Sequence, residues 1–159
     1  NGTITGTSGY DIYNAAATIT NLTNSQNNLT MYKNVPTNYY IKVNSTSSFG
    51  KITITSPSGS MNVGIADDST LSEGTYEGVV NGVSASNISN SSGTYISNAN
   101  HYKYSLSNPA VTKWDLVVND LITSASIFTG FISISSPFFA IVKGDLEYPA
   151  ITALNIYYI

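Results

Sequence analysis

The side chains able to do chemistry are few and far apart in this sequence. His101 is the single histidine and sits in the polar run Asn100-His101-Tyr102-Lys103, with no motif around it. A surface or structural role is the plainer reading of it. The absence of Cys excludes disulfides, thiol nucleophiles and Cys-based zinc sites. No Ser lies in a Gly-x-Ser-x-Gly elbow, and no glycine-rich phosphate loop is present. The densest acidic group is Asp67, Asp68, Glu73 and Glu77, within ADDSTLSEGTYEG. Such carboxylates could form the acid/base pair of a hydrolase or hold a hard cation. Their spacing fits no Ca²⁺ loop, and a solvated loop accounts for them better. Asp115, Asp120, Asp145 and Glu147 are scattered. The expectation is a protein that is not an enzyme, with no catalytic residue, no metal site and no cofactor.

The remaining chemistry is that of binding and modification. The 12 Tyr could form a platform for stacking sugars, but many stand in alternating runs, where packing on a sheet face explains them. Asn-x-Ser/Thr acceptors occur at Asn1, Asn21, Asn28, Asn44, Asn87 and Asn90. A chain this rich in Asn, Ser and Thr produces about that many by chance, so position matters more than number. Asn87 and Asn90 fall in the Ser/Asn-rich stretch 84–100, and Asn28 and Asn44 fall near expected strand ends. Asn1 is awkwardly placed, and the expected N-glycan sites are Asn21, Asn28, Asn44, Asn87 and Asn90. A Lys–Asn or Lys–Asp isopeptide bond is a further possibility whose proximity requirement is not readable from sequence.

Composition frames the elements that must position these groups. Val, Ile, Thr, Tyr, Phe and Trp together number 63, against 31 for Ala, Leu, Glu, Lys, Gln, Arg and Met. That ratio favours β-structure throughout. Only 9% of residues are charged, and the net charge is −3. The outer surface is therefore expected to be hydroxyl and amide, and a nucleic-acid partner is disfavoured for want of clustered cations. A hydrophobic fraction of 42% is ample for a core, so disorder is not expected. No run is long enough for a membrane-spanning helix. A chain beginning at Asn1 is expected to be a mature secreted form whose leader has been removed.

Period-two alternation recurs along the chain. Tyr39, Ile41 and Val43 share one face, as do Ile52 and Ile54, and then Met61, Val63 and Ile65. Ser56-Pro57-Ser58-Gly59 between the last two sets predicts a hairpin. Val79-Val80-Asn81-Gly82-Val83 predicts a second, with Asn-Gly in a type I′ turn. Residues 84–100 read as a loop or edge strand. Tyr102, Tyr104 and Leu106, then Trp114, Leu116 and Val118, predict two more strands, followed by candidates at 121–128, 130–135 and 138–143. No internal repeat is evident. Short strands at this spacing indicate a β-sandwich, with a jelly roll or closed barrel giving a similar pattern.

The two ends are opposites. Residues 150–159 are apolar on both faces, with Ile151, Ala153, Tyr157 and Ile159 on one and Leu154, Ile156 and Tyr158 on the other. Such a strand belongs inside a sheet. The N-terminus carries Ile4, Gly6, Ser8, Tyr10 and Ile12 on one face and Thr3, Thr5, Thr7, Gly9 and Asp11 on the other. It is too polar to form structure alone, yet it could complete an open sheet edge.

A Cys-free, Arg-free chain rich in Asn, Ser, Thr and Tyr, with a Gly-broken N-terminal strand and an apolar C-terminal one, resembles the subunits of the archaeal thread filament. These are secreted pilins whose fold is similar to that of bacterial type 1 (chaperone–usher) pilins. The resemblance implies an all-β, immunoglobulin-like β-sandwich lacking one strand. It implies a donor strand at 1–13 and a pilin-like domain at 14–159, polymerising head to tail by donor strand complementation into an N-glycosylated, extracellular cell-surface filament for adhesion or biofilm formation. Ile4, Gly6, Ser8, Tyr10 and Ile12 would fill the groove of an identical subunit. Ile151, Ala153, Leu154, Ile156, Tyr157, Tyr158 and Ile159 would form its wall. The missing Cys pair is a departure from the bacterial pilins. The competing readings are a secreted monomeric carbohydrate-binding or adhesin domain, and a hydrolase using the Asp67–Glu77 group.

Overall fold

Alternation becomes strand wherever it is strongest. The computed structural model describes residues 4–6, 9–97, 100–120, 139–141 and 156–158. The chain divides into two units, Asn1–Leu121 and Ile122–Ile159. The first holds β1 (Ile12–Asn14), β2 (Asn21–Asn24), β3 (Leu29–Asn34), β4 (Asn38–Ile41), β5 (Ile52–Ser58), β6 (Asn62–Ile65), β7 (Gly74–Asn81), β8 (Ser92–Ser97), β9 (Asn100–Ala110) and β10 (Lys113–Asp120). A single-turn 3-10 helix, Ala85–Asn87, lies between β7 and β8. The second unit contributes β11 (Phe139–Ile141) and β12 (Ile156–Tyr158), paired antiparallel. The protein is all-β, and among the described residues no helix is long and apolar enough to cross a membrane.

Within the first unit the strands alternate between two sheets. β1, β3, β5 and β7 are parallel neighbours in one, and β2, β4 and β6 are parallel neighbours in the other. Parallel partners need a crossover connection. Here each crossover includes a strand of the opposite sheet, so β1 to β7 wind as a parallel solenoid. Beyond β7 the large sheet continues antiparallel through β10, β9 and β8.

Winding in parallel stacks each turn on the one before. Ile12, Met31 and Ile54 form one column, and Leu29, Ile52 and Val80 another. On the facing sheet Leu22, Tyr39 and Val63 align, beside Asn24, Ile41 and Ile65. Most of these side chains are buried and belong to one core cluster. A fully buried Leu or Ile contributes roughly 1.5–3 kcal/mol relative to exposure, so these columns hold the two sheets together. Outside the core, Asn21, Asn38 and Asn62 share a register position and form a ladder. Asn38 Nδ2 donates to Asn21 Oδ1 at 2.8 Å, and Asn62 Nδ2 donates to Asn38 Oδ1 at 3.2 Å.

This architecture corrects several expectations. The segments 51–55 and 61–65 are not a hairpin, because β5 and β6 lie in different sheets. Inward-facing alternation looks the same whether the partner is parallel or antiparallel, so it does not name the partner. Residues 79–83 are not a hairpin either. Gly82 has φ +81°, and a Cβ there would land on the carbonyl oxygen of Ile54, so the Asn-Gly pair serves a close crossing of chains. The immunoglobulin-like order with a missing strand is not what the described strands display. Immunoglobulin sheets are antiparallel, whereas the pairings from β1 to β7 are parallel. The edge strand expected within 84–100 is present as β8, and the strands at 102–106 and 114–118 are β9 and β10. The candidates at 121–128 and 130–135 lie outside the described residues.

Candidate subunit interface at the N-terminal edge

The residues expected to form the donor strand are held against their own chain. Ile12 pairs with Met31, Tyr13 with Tyr32 and Asn14 with Lys33, which makes β1 the outermost strand of the large sheet. Three residues give little backbone pairing, so side chains supply much of the attachment. Tyr32 packs against two aromatic neighbours: Tyr13 stacks on it at 4.9 Å and Tyr10 tilts against it at 5.1 Å. Tyr13 remains 70% exposed.

Asp11 closes the segment. Its Oδ2 accepts from the Thr30 N–H at 2.7 Å and the Thr30 hydroxyl at 2.8 Å, and its Oδ1 accepts from the Gly6 N–H at 2.9 Å. The hydrogen bond from Gly6, followed by those from Thr30, favours the ionised carboxylate and lowers the Asp11 pKa below the ordinary aspartate value. Further out, the Gln26 amide brackets Ile4, accepting from its N–H at 2.9 Å and donating to its carbonyl at 3.1 Å.

These contacts change the expected picture of one straight strand from Ile4 to Ile12. A Cβ on Gly6 would fall on the Tyr10 carbonyl oxygen, and Gly9 has φ +95°. Gly6 therefore lies against Tyr10 and Asp11, its N–H bonded to the Asp11 carboxylate, which a straight strand from Ile4 to Ile12 does not allow. Ile4 is exposed, Gly6 and Tyr10 are half-buried, and Ile12 packs against the core. Ser8 lies outside the described residues. Of the expected groove wall, Ile156, Tyr157 and Tyr158 form β12, paired with Ile141, Ala140 and Phe139. Ile151, Ala153, Leu154 and Ile159 lie outside the described residues.

The glycan acceptors divide sharply. Asn28 and Asn44 are exposed, and their side-chain amides make no hydrogen bond among the described residues. Asn21 is exposed but accepts from Asn38 in the ladder. Asn87 departs from the expectation: it is buried, donates to the Gly59 carbonyl at 2.8 Å and accepts from the Ser84 N–H at 3.1 Å. Asn90 is also committed. Its Oδ1 accepts from the Val63 N–H at 2.7 Å and its Nδ2 donates to the Val63 carbonyl at 2.9 Å. A glycan on either amide nitrogen would replace one of its hydrogens and crowd the backbone to which that nitrogen donates.

The acidic group offers no metal centre. Asp68 pairs with Lys42, which lowers its pKa. Glu77 lies 3.4 Å from Lys113. No cluster of three or more His, Asp or Glu that could hold a metal occurs among the described residues. The Asp11 clasp and the asparagine ladder went unread in the sequence. Asn21, Asn38 and Asn62 are unevenly spaced, and only a repeat of fixed period would have drawn attention to them. Comparison with protein families, curated proteins and solved structures finds no match for this chain.

Proposed function

We propose that the protein is the structural subunit of an extracellular cell-surface filament, joined head to tail through its N-terminal segment and serving adhesion or biofilm formation. One observation carries this reading. The segment occupies the outer edge of a sheet through contacts that an identical neighbour could supply equally well: β1 on β3, Tyr10 and Tyr13 on Tyr32, and Asp11 on Thr30. Strand exchange keeps every such contact and changes only which chain provides it. A contact of this kind that does not close on itself propagates as a filament.

An immunoglobulin-like sandwich is not a requirement of this mechanism. An open sheet edge and a detachable edge strand suffice. The N-terminal segment leaves with few buried side chains, since Ile4 and Tyr13 are already exposed. Asn28 and Asn44 are the acceptors best placed to carry N-glycans on the assembled surface.

Negative-stain microscopy of the full chain and of a variant lacking residues 1–14 tests the proposal. The full chain is expected to form thin uniform fibres, and the shortened chain none. Adding a synthetic peptide of residues 1–14 is expected to occupy the vacated edge and raise the melting temperature. Fibres from the shortened chain, or discrete particles from the full one, would overturn the reading.

A further inference from the structure

The first unit contains a second feature, independent of filament assembly. A cleft of about 430 Å³ opens beside Tyr40, Gly64, Asp67, Thr94, Ile96 and Tyr104. A neighbouring cleft of about 480 Å³ shares Tyr40 and Asp67 with it and adds Asn21, Thr23 and Asp68. The register explains the arrangement. Thr23, Tyr40 and Gly64 align across β2, β4 and β6, so Tyr40 stands at the junction of the two clefts. With no side chain at Gly64, the Tyr40 ring leans over that backbone, 3.1 Å from where a Cβ would stand. Both clefts have volumes usual for small-ligand sites.

The buried tyrosines show what is unusual here. Tyr39 accepts from Asn24 Nδ2 at 3.1 Å, Tyr76 donates to the Ser72 carbonyl at 3.0 Å, Tyr95 accepts from the Ser69 N–H at 3.1 Å, and Tyr102 donates to the Leu71 carbonyl at 3.3 Å. Tyr104 is also buried, at 8% exposure like Tyr102, yet its hydroxyl has no partner among the described residues. That hydroxyl lies 3.9 Å from the Cβ position of Gly64, on the cleft lining. No fully buried side-chain polar atom is left unpaired among the described residues, so solvent reaches the Tyr104 hydroxyl, and the route is the cleft. The ring is buried while its hydroxyl opens on the cleft, where it is free to bond a ligand. Burial also raises the Tyr104 pKa, which keeps the hydroxyl protonated and able to donate.

The rest of the lining narrows the ligand. Asp67 presents a carboxylate with no hydrogen bond, Thr23 and Thr94 present hydroxyls, and Tyr40 and Ile96 present apolar surface. Neither cleft lining contains a cation, and nearby Lys42 is paired with Asp68. An anionic ligand would meet the uncompensated Asp67 carboxylate, whereas a neutral polyol offers donors to Asp67, an acceptor to Tyr104 and ring C–H faces to Tyr40. Two adjoining clefts suit consecutive units better than a single one. We infer that the clefts flanking Tyr40 form a binding site for a neutral glycan chain, with the unpartnered Tyr104 hydroxyl as an internal hydrogen-bond donor and Asp67 as the acceptor at the rim.

The test is affinity electrophoresis of the full chain through gels holding mannan, a soluble β-glucan, or alginate as the anionic control, with each variant melted in parallel. Retardation by a neutral polysaccharide, and none by alginate, is expected. Tyr104→Phe removes only an unpaired hydroxyl, so it should leave the melting temperature unchanged or raised while weakening retardation about tenfold, the loss of one hydrogen bond to the ligand. Asp67→Ala, at an exposed site, should weaken it similarly. Migration unchanged in every neutral gel, retardation by alginate alone, or full retention of binding by Tyr104→Phe would each overturn the assignment.

Discussion

The two halves of the large sheet are built on different rules. From β1 to β7 the strands run parallel, and like residues stand in columns because each turn repeats the position of the last. From β7 to β8 they run antiparallel, and the sheet is secured by reach. The Trp114 indole donates to the Val83 carbonyl at 3.0 Å, and the Tyr95 and Tyr102 hydroxyls bond to the backbone of the 67–71 loop. The ends of the parallel part differ as well. The N-terminal edge is dressed by a short strand and side-chain clasps. At the far edge of the smaller sheet, Asn90 imitates a neighbouring strand by bonding both the N–H and the carbonyl of Val63. An edge covered this way resists pairing with other chains. One end of the winding is therefore closed by a side chain bonded to the backbone, and the other by a three-residue strand held through the Asp11 and tyrosine contacts.

The sharpest way to break this contrast is at the junction of the two halves. Gly82→Ala places a Cβ on the Ile54 carbonyl at φ +81°. A loss of about 3 kcal/mol in urea unfolding is expected, from overpacking added to backbone strain. A neutral result would show that the chains do not cross there.

Asn90→Ala strips the closed edge. It leaves the amide and carbonyl of buried Val63 without their partner, which should cost about 2 kcal/mol and promote aggregation visible by light scattering. The corresponding change at exposed Asn28 should lie within about 0.5 kcal/mol. Equal effects at the two sites would remove the distinction drawn between structural and modifiable acceptors.

The smallest expected effect is the pH response of the N-terminal edge. Asp11 has its folded pKa lowered, chiefly by hydrogen bonds from Gly6 and Thr30. The stabilisation is fully present above the unfolded value of 3.8 and is lost as pH falls through the lowered folded value. The N-terminal segment should stay attached at neutral and mildly acidic pH and loosen only in strong acid. Amide exchange at Gly6 and Thr30 reports this, and Asp11→Asn should abolish the transition. Loosening at neutral pH would show that the clasp does not hold the edge.

Strand content and the inward face of each strand were legible from local chemistry. Tyr39, Ile41, Ile52, Ile54, Val63, Leu116 and Val118 are buried as their alternation requires, because side chains on a strand alternate faces whatever lies beside it. Partners were a different matter. Whether Ile52 sits beside Met61 or Leu29 depends on where the connections run, and period two carries no record of that. The unequal turn lengths, 19 residues from Ile12 to Met31 and 23 from Leu29 to Ile52, hid the winding from any search for a fixed repeat. Tertiary structure alone decided that Asn90 would serve as a counterfeit strand, that Asn87 would be buried, and that one tyrosine hydroxyl would be left facing a cleft. Each depends on which groups arrive together in space, and distances between chain segments are set by the fold, while composition and alternation act only along the chain.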